Sequence, residues 1–359
     1  MAKLRAPLAR AATFCERFGL RAPILLAPMA GACPVSLSLA VTSAGGAGAC
    51  GALLFRADAI GAWAEEFRAG GGGPFQINLW TPDPAPSRDA VHEASVRDVL
   101  ARFGPRVAPE AGDAVPVDFA EQCEALLAAA PTVASSVMGL FPPAFVARLQ
   151  AAGIAWFATV TTVAEARAAE AAGADVIIAQ GMEAGGHRGA FDASRAERDL
   201  VGLASLVPAV VDAVRVPVVA AGGIADGRGV AAALVLGASA VQIGTAFLRC
   251  PEASVGSAWA DALASAPPEG TIVTRAFSGR AGRSLANRYA RAFAAPDAPA
   301  PAPYPVQRGL TSAMRAEATA AGDVERMQAW AGQSAALARA EPASDFVHRV
   351  VCEMRELLG

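Results

Sequence analysis

A single histidine, His187, lies in a segment that contains four glycines, Gln180–Gly189. The apolar run 176–179 immediately before it predicts a buried strand. Glycine lets a backbone approach a ligand closely, and histidine can move a proton near neutral pH. This order of residues indicates the mouth of an active site that contains His187. A tight loop with an incidental histidine is the alternative interpretation.

Two glycine-bearing turns further along the chain could hold a phosphate group. Gly222 and Gly223 form the first, and Gln242, Gly244 and Thr245 belong to the second. Each turn follows an apolar run that predicts a strand, so backbone N–H groups and the Thr245 hydroxyl would meet there. A phosphate beside an apolar pocket indicates FMN or a phosphorylated substrate. Tight turns without a ligand are the alternative.

Other polar and apolar residues follow the predicted strands. Asn78 and Gln180 carry amides that could pair with the polar edge of an isoalloxazine ring. Pro28 and Met29 follow the first strand and could supply a backbone contact and an apolar wall. Ordinary loop caps are the alternative, but several such residues at strand ends favour a ligand site.

Eight short apolar runs alternate with alanine-rich helical patterns along the chain. They predict strands at 24–27, 47–50, 75–79, 133–138, 155–160, 176–179, 218–221 and 240–243. The helical patterns cover 35–43, 60–68, 89–101, 119–129, 143–152, 163–172, 203–213, 229–236 and 345–358. Alternation of this kind predicts an α/β fold, a parallel (β/α)8 TIM barrel, whose active site lies at the carboxyl ends of its strands.

Two regions depart from the alternation. Residues 81–118 are rich in proline and charge and predict a long excursion over the barrel mouth. The later pattern predicts a smaller, mostly helical inserted subdomain at 250–325, which includes a proline-rich linker at 296–305. The FMN-binding barrel would then comprise 1–249 and 326–359.

Composition argues against several classes of function. The chain is 54% hydrophobic and 18% charged, so it can bury a large core. A net charge of −3 without a basic run argues against nucleic acid as a partner. The only lysine, Lys3, excludes a Schiff base inside the fold. Six cysteines without a C-x-x-C pair argue against a metal site or disulfides and favour a cytoplasmic location, and no apolar run predicts a membrane span.

Several other charged residues are expected to have no chemical part. Arg275, Arg280 and Arg283 could reach an anionic substrate, but a solvated face is the expectation. His92 lies in the predicted excursion and His348 in the last predicted helix, both outside the predicted site.

Several motifs resemble those of the nitronate monooxygenase family of flavoproteins. They are Ala27–Gly31, Gln76–Trp80, Gln180–Gly189, Ala221–Arg228, Gln242–Leu248 and Trp330–Gln333. The resemblance extends from the first predicted strand to the last tenth of the chain. Its most specific parts are the histidine-bearing segment and the Gln-Ile-Gly-Thr loop, whereas the double-glycine turn is shared with other flavin barrels.

The resemblance implies an enzyme with FMN at the barrel mouth. The expected cofactor residues are Pro28, Met29, Asn78, Gln180, Gly185, Gly222, Gly223, Gln242, Gly244 and Thr245. His187 matches the family's catalytic histidine and would act as a base toward a nitroalkane or as a hydrogen-bond donor to a nitronate oxygen. Tyr304 and Gln333 would approach the substrate. A nitronate would reduce the flavin, O₂ would react, and a carbonyl compound and nitrite would leave, without a metal or a bound nicotinamide. Residues 182–183 and 32–34 depart from the family pattern, so substrate-facing residues can differ.

Two alternatives stay open. One is an NAD(P)H-dependent flavin reductase on the same barrel, acting on a quinone or an enoyl thioester. The other is a non-catalytic module that binds a flavin or a phosphate. The sequence also leaves open the physiological nitronate, a role in detoxification, and the oligomeric state, for which a homodimer is one option.

Overall fold

The computed structural model describes residues 6–359, so Lys3 and the charged N-terminus lie outside the described residues. Its strands are β1 (Ile24–Leu26), β2 (Gly48–Gly51), β3 (Phe75–Trp80), β4 (Val133–Val137), β5 (Ala155–Val160), β6 (Val176–Gln180), β7 (Gly186–His187), β8 (Val218–Ala221), β9 (Ala240–Ile243), β10 (Thr271–Thr274) and β11 (Gly282–Leu285). The eight predicted strands agree with β1–β6, β8 and β9 to within one residue at either end.

These eight strands form one parallel sheet in the order β1-β9-β8-β6-β5-β4-β3-β2. A parallel bridge between Leu25 and Ala47 joins β1 to the residue before β2, which brings the two edges of the sheet together. The predicted (β/α)8 barrel is confirmed. Because the strands are parallel, all of their carboxyl ends lie on one face, and the loops that carry polar residues meet there.

Helix α1 (Pro7–Phe18) packs against the barrel interior at the amino ends of the strands. The rings of Phe14 and Phe18 lie 6.2 Å and 5.0 Å from that of Phe157 in β5. The sequence analysis assigned no element to this segment, so α1 was missed. Its buried residues recur at helical spacing, which is a usable signal: Ala11, Phe14, Cys15 and Phe18.

The barrel helices follow the predicted alternation. They are α2 (Val35–Ser43), α3 (Ala57–Ala69), α5 (Phe119–Ala129), α6 (Pro143–Ala151), α7 (Val163–Ala171), α8 (Leu203–Ala213), α9 (Gly227–Val235) and α14 (Ala343–Leu358). Predicted and observed ends differ by at most three residues. Side-chain caps mark three of the starts: Asp118 accepts from the N–H of Glu121 at α5, Thr162 and Glu165 form a capping box at α7, and Asp226 accepts from the N–H of Gly229 at α9.

Residues 250–325 contain α10 (Ser257–Ala264), α11 (Arg288–Phe293), α12 (Val306–Leu310) and α13 (Ser312–Ala321). They also contain β10 and β11, which form an antiparallel sheet with β7 in the order β10-β11-β7. The prediction of a mostly helical subdomain at 250–325 did not include these two strands. The strands form because β11 pairs with β7, a distant two-residue segment without a periodic signal of its own. The limits of the insertion stay a prediction.

The excursion at 81–118 shares an apolar core with residues 250–325. It contains α4 (Ala90–Leu100) and a short 3-10 turn at 109–112. Val96 and Leu100 cluster with Phe277, Tyr289 and Met314. The two regions thus pack together, and this contact positions loops on the carboxyl face of the barrel. Among residues 6–359, no helix combines the length and apolar character that crossing a bilayer requires.

Candidate active site

A cavity of about 380 Å³ opens at the carboxyl ends of the strands, within the ~300–1,000 Å³ typical of small-molecule sites. Eleven predicted site residues line it: Pro28, Met29, Asn78, Gln180, Gly185, His187, Gly222, Gly223, Gln242, Gly244 and Thr245. Tyr304 and Gln333 do not. Tyr304 stacks on Trp80, which lines the cavity, and Gln333 lies between the lining residues Gly332 and Ser334. The structure thus brings His187 and the predicted cofactor residues together and places Tyr304 and Gln333 one layer further out.

The turns after β8 and β9 present unpaired backbone N–H groups. Within residues 6–359, those of Gly222, Gly223, Gly244 and Thr245 donate to no acceptor. Gly222 and Gly223 have φ of +109° and +69°, a left-handed conformation that other residues rarely adopt. The Thr245 hydroxyl accepts from the N–H of Gly332, so its own proton remains available. Four N–H groups and one hydroxyl suit a phosphate.

Gln76 determines the orientation of the Gln242 side-chain amide, which lines the cavity. The Gln76 Nε2 donates to the Leu26 carbonyl at 2.8 Å and to the Gln242 Oε1 at 3.1 Å. Because the carbonyl can only accept, the Gln76 amide can lie only one way round. The Gln242 Nε2 is then left without an acceptor in the described chain, as a donor on a residue that lines the cavity.

Asn78 and Gln180 present their amides differently. The Asn78 Nδ2 donates to the backbone oxygen and the hydroxyl of Ser135, both at 3.1 Å, which leaves its Oδ1 as an acceptor beside the cavity. The Gln180 amide is engaged by its own loop, since Nε2 donates to the His187 carbonyl at 3.0 Å and Oε1 accepts from the N–H of Gly189 at 2.8 Å. Gln180 therefore holds the His187 segment in place.

The His187 ring lies between two indoles. Its centroid is 4.8 Å from those of Trp80 and Trp330, and its Nε2 is 2.8 Å from the Ser278 Oγ. Burial lowers the pKa of His187 from 6.5 to about 3, with smaller contributions from nearby positive charges on Arg308, Arg280 and Arg315. The imidazole is consequently neutral at physiological pH and can accept a proton.

Arg308 and Arg315 line the same cavity, and the sequence analysis missed both. Neither forms an ion pair with a carboxylate in the part of the chain that the structure describes. Burial lowers the pKa of Arg308, and burial and Arg308 together lower the pKa of Arg315 to about 10. The Arg315 guanidinium donates to the Gln328 Oε1 and to the Arg308 carbonyl, at 3.0 Å and 2.9 Å. Two neighbouring cations without a counter-ion favour an anionic ligand.

The expectation of a solvated arginine face is wrong for Arg280 and Arg283. The Arg280 side chain is 1% exposed and binds both carboxylate oxygens of Asp83, at 2.9 Å and 2.7 Å. Arg283 is also buried, in β11. Arg275 is half-buried and lies 3.5 Å from Glu197. The Asp83–Arg280 pair joins the excursion to the β10–β11 turn, a long-range contact without a local sequence signal.

Arg188 is a further buried cation beside the site that sequence reasoning missed. Its Nη1 donates to the Gly181 carbonyl at 2.7 Å, whereas its Nε and Nη2 have no hydrogen-bond partner in the described chain. Burial, and then the charge of Arg283, lower its pKa to about 10. It therefore adds positive potential behind the segment that carries His187.

Glu183 orients the tip of the His187 segment. Its two carboxylate oxygens accept from the N–H of Leu203 at 2.9 Å and 3.0 Å, at the start of α8. Its carbonyl accepts from the N–H of Gln333 at 2.9 Å. The Gln333 amide nitrogen lies 3.5 Å from the Pro268 carbonyl, so this side chain contacts the insertion. No group of three or more potential metal ligands occurs among residues 6–359.

Comparisons with known proteins show the family and the fold of the chain. A model of the nitronate monooxygenase family matches residues 14–353. The chain is 38% identical to a nitronate monooxygenase of Paraburkholderia phytofirmans (94% of this chain, 93% of the relative) and 39% identical to one of Pseudomonas aeruginosa (95% and 99%). A nitroalkane oxidase structure from Streptomyces ansochromogenes superposes with a TM-score of 0.87 at 38% identity (96% and 98%). FabK from Thermotoga maritima superposes with a TM-score of 0.75 at 28% identity (96% of each chain).

Proposed function

The chain belongs to the nitronate monooxygenase family, and we propose that it binds FMN and uses O₂ to oxidise alkyl nitronates to carbonyl compounds and nitrite. Membership makes it an enzyme of a flavin-dependent oxidoreductase family. One observation carries the proposal: a set of free backbone N–H groups and a neutral histidine open onto the same cavity. Neutral nitroalkanes are included in the proposal, with His187 as the base.

The residues around the cavity fit FMN. Gly223, Gly244 and Thr245 supply donors for its phosphate, and the Gln242 Nε2 and the Asn78 Oδ1 supply one donor and one acceptor for the edge of its ring. FMN would supply the redox chemistry, as the group that takes electrons from the nitronate and passes them to O₂. The described chain supplies no acceptor for these donors, and FMN would supply acceptors for them.

His187 would handle the proton. A nitroalkane must lose its carbon-bound proton before it can give up electrons, whereas a nitronate has already lost it. Burial keeps the imidazole unprotonated before reaction, and the same burial lowers its proton affinity, so the positioning of the substrate beside it must supply much of the rate. The enclosing rings of Trp80 and Trp330 limit where a small substrate can lie, so the reacting carbon would be held beside the imidazole.

The charge of the cavity suits the proposed substrate. A nitronate is an anion, and Arg308 and Arg315 are cations that no carboxylate of the described chain neutralises. They would attract the nitronate and favour the ionised form over the neutral nitroalkane. Their contribution is expected in binding, because the charge of the nitronate is present before reaction begins.

A flavin reductase on the same barrel is the second candidate. The likeness to FabK, which extends over nearly the whole chain, favours it. Against it, the loop after the first strand lacks the G-x-G-x-x-G fingerprint of a dinucleotide site. We therefore expect nitronate to reduce the bound flavin faster than NADH or NADPH does.

The test is the absorption spectrum of the purified protein followed by anaerobic titration. The proposal expects a yellow protein that releases FMN on denaturation and is bleached by ethyl nitronate in one turnover. Faster bleaching by NADH or NADPH than by ethyl nitronate would favour the flavin reductase. A colourless protein that FMN cannot reconstitute would exclude both candidates.

A further inference from the structure

Ser278 is the only hydrogen-bond partner of the His187 imidazole in the described chain, with Oγ 2.8 Å from Nε2. It is fully buried, in the turn between β10 and β11. Its Oγ also lies 3.3 Å from the backbone nitrogen of Arg280 and 3.2 Å from the Arg280 carbonyl oxygen. One hydroxyl therefore has three polar neighbours.

These three contacts determine where the protons lie. A serine hydroxyl has one proton to donate and two lone pairs to accept with. The Arg280 N–H can only donate to it, and the Arg280 carbonyl can only accept from it. All three contacts are satisfied when the hydroxyl donates to the carbonyl and accepts from both the Arg280 N–H and the Nε2–H of His187. Nε2 then carries the proton of the neutral ring, and Nδ1 has a free lone pair.

The turn that holds Ser278 is itself anchored. The Arg280 guanidinium binds the Asp83 carboxylate and donates from Nη1 to the Ala190 carbonyl at 3.0 Å. Gly279, which lies between Ser278 and Arg280 in the chain, has a φ of +90°. The backbone of Arg280 is thus held from two sides, so the acceptor that it offers to the serine hydroxyl cannot easily move. This fixes the direction of the serine proton.

We propose that Ser278 is a positioning residue that holds neutral His187 as its Nε2–H tautomer, so that Nδ1 is the atom that takes the proton of a nitroalkane. In that step the carbon–hydrogen bond breaks, a bond forms between Nδ1 and the proton, and the electron pair moves into the nitro group to give the nitronate. The inference rests on the proposed function for its chemical meaning. The opposite tautomer would place a proton on Nδ1 and leave no base facing the cavity.

A direct test reads the tautomer without turnover. The chain contains three histidines, so long-range ¹H–¹⁵N spectra of the FMN-loaded enzyme, labelled with ¹⁵N-histidine, can be assigned by comparison with His187→Asn. We expect His187 to show a protonated Nε2 and a bare Nδ1. In Ser278→Ala the two tautomers should mix, because the acceptor for Nε2–H is gone. A wild-type ring protonated at Nδ1 overturns the inference.

A kinetic test separates positioning from simple structural damage. Ser278→Ala should lower kcat/KM for a nitroalkane roughly 10- to 100-fold, a part of the ~10²–10⁴ that a positioned base contributes. It should change nitronate oxidation and FMN content little. Introduced into His187→Asn, the same change should have no further effect, because Ser278 acts only through the imidazole. An equal loss in both backgrounds contradicts the proposal.

Ser284→Ala is the matched control. Ser284 is also fully buried, lies in β11 and donates to the Leu285 carbonyl without contacting His187. Ser284→Ala should leave the ratio of nitroalkane oxidation to nitronate oxidation unchanged. If His187→Asn keeps full nitroalkane activity, the base role in the proposed function fails, while the spectra still report on Ser278. If His187→Asn is impaired and Ser278→Ala is not, the inference about Ser278 alone fails.

Discussion

The indole of Trp80 stacks on the phenol ring of Tyr304, with ring centroids 5.1 Å apart and an interplanar angle of 11°. Trp80 ends β3 of the barrel, whereas Tyr304 precedes α12 in the insertion. Trp80 also makes an edge contact with His187, with centroids 4.8 Å apart. Tyr304, from the region 250–325, therefore supports a ring against which the proposed catalytic histidine packs.

Tyr304→Ala should weaken substrate binding by loosening Trp80. An aromatic pair contributes about 0.5–1.5 kcal/mol, so we expect KM for a nitronate to rise about 2- to 10-fold. Tyr304→Phe keeps the ring and should behave like the wild type in steady-state kinetics. If the phenylalanine variant is impaired as much as the alanine variant, the hydroxyl group matters and the stack does not.

His187→Asn should separate proton removal from nitronate oxidation. A positioned base contributes ~10²–10⁴-fold, so nitroalkane oxidation should fall by about that factor. Nitronate oxidation should fall much less, and FMN content should stay unchanged, as measured from the spectrum and from anaerobic flavin reduction. Equal losses for both substrates would show that His187 stabilises bound nitronate instead. Normal turnover of both would remove His187 from the site.

Gly223→Val should reduce FMN retention. Gly223 has a φ of +69°, and a Cβ there would lie 3.1 Å from the Glu183 Cβ, so the turn must move and carry its N–H group away from the phosphate. The expected result is a lower FMN-to-protein ratio after gel filtration. Gly61→Ala in α3 is the control, because a Cβ there meets nothing within 4 Å. Full FMN content in Gly223→Val would contradict the assigned phosphate site.

Gln76→Leu should weaken FMN binding although Gln76 does not line the cavity. Without the Gln76 amide, nothing keeps the Gln242 Nε2 directed toward the cofactor. A lost hydrogen bond costs about 0.5–1.5 kcal/mol, so Kd for FMN should rise about 2- to 10-fold in a fluorescence titration. Gln122→Leu, which removes a buried amide that donates to the Ala52 and Phe55 carbonyls, is the control for stability. An unchanged Kd in Gln76→Leu would mean that Gln242 needs no positioning.

Arg308→Met and Arg315→Met should each raise KM for a nitronate. A hydrogen bond to a charged group contributes about 1.5–3 kcal/mol, so a rise of about tenfold or more is expected. A neutral nitroalkane should be affected less. Arg102→Met replaces an exposed arginine outside the cavity and should change KM for neither the nitronate nor the nitroalkane. Equal effects on nitronate and nitroalkane would argue against charge recognition.

The Arg308→Met variant should also shift the pH dependence of nitroalkane oxidation. Arg308 lowers the pKa of His187, so its removal should raise that pKa toward the ordinary value. The base is active only when unprotonated, and the acid limb of the kcat/KM profile should therefore move to higher pH. A shift to lower pH would contradict the electrostatic role of Arg308.

Local patterns in the sequence determined the barrel. Each strand is a short apolar run, and each following helix has its own periodicity. Helices α5, α7 and α9 also have their own capping residues, so neighbouring residues carry the information. The parallel arrangement then places strand ends on one face. For that reason Gly223, Thr245 and His187 could be assigned to one cavity before the structure was known.

Contacts between distant segments decided the rest. Ser278 lies 91 residues from His187 along the chain, and Arg280 lies 197 residues from Asp83. Three further features also depend on residues far apart in the chain. They are the pairing of β11 with β7, the approach of Arg308 and Arg315 to the cavity, and the stack of Tyr304 on Trp80. None leaves a periodic or local signature, because each depends on how residues 250–325 pack against the barrel and its loops. The barrel and its glycine-bearing turns were thus encoded locally, whereas the surroundings of His187, from which its charge state and proposed tautomer follow, arise only when these segments pack together.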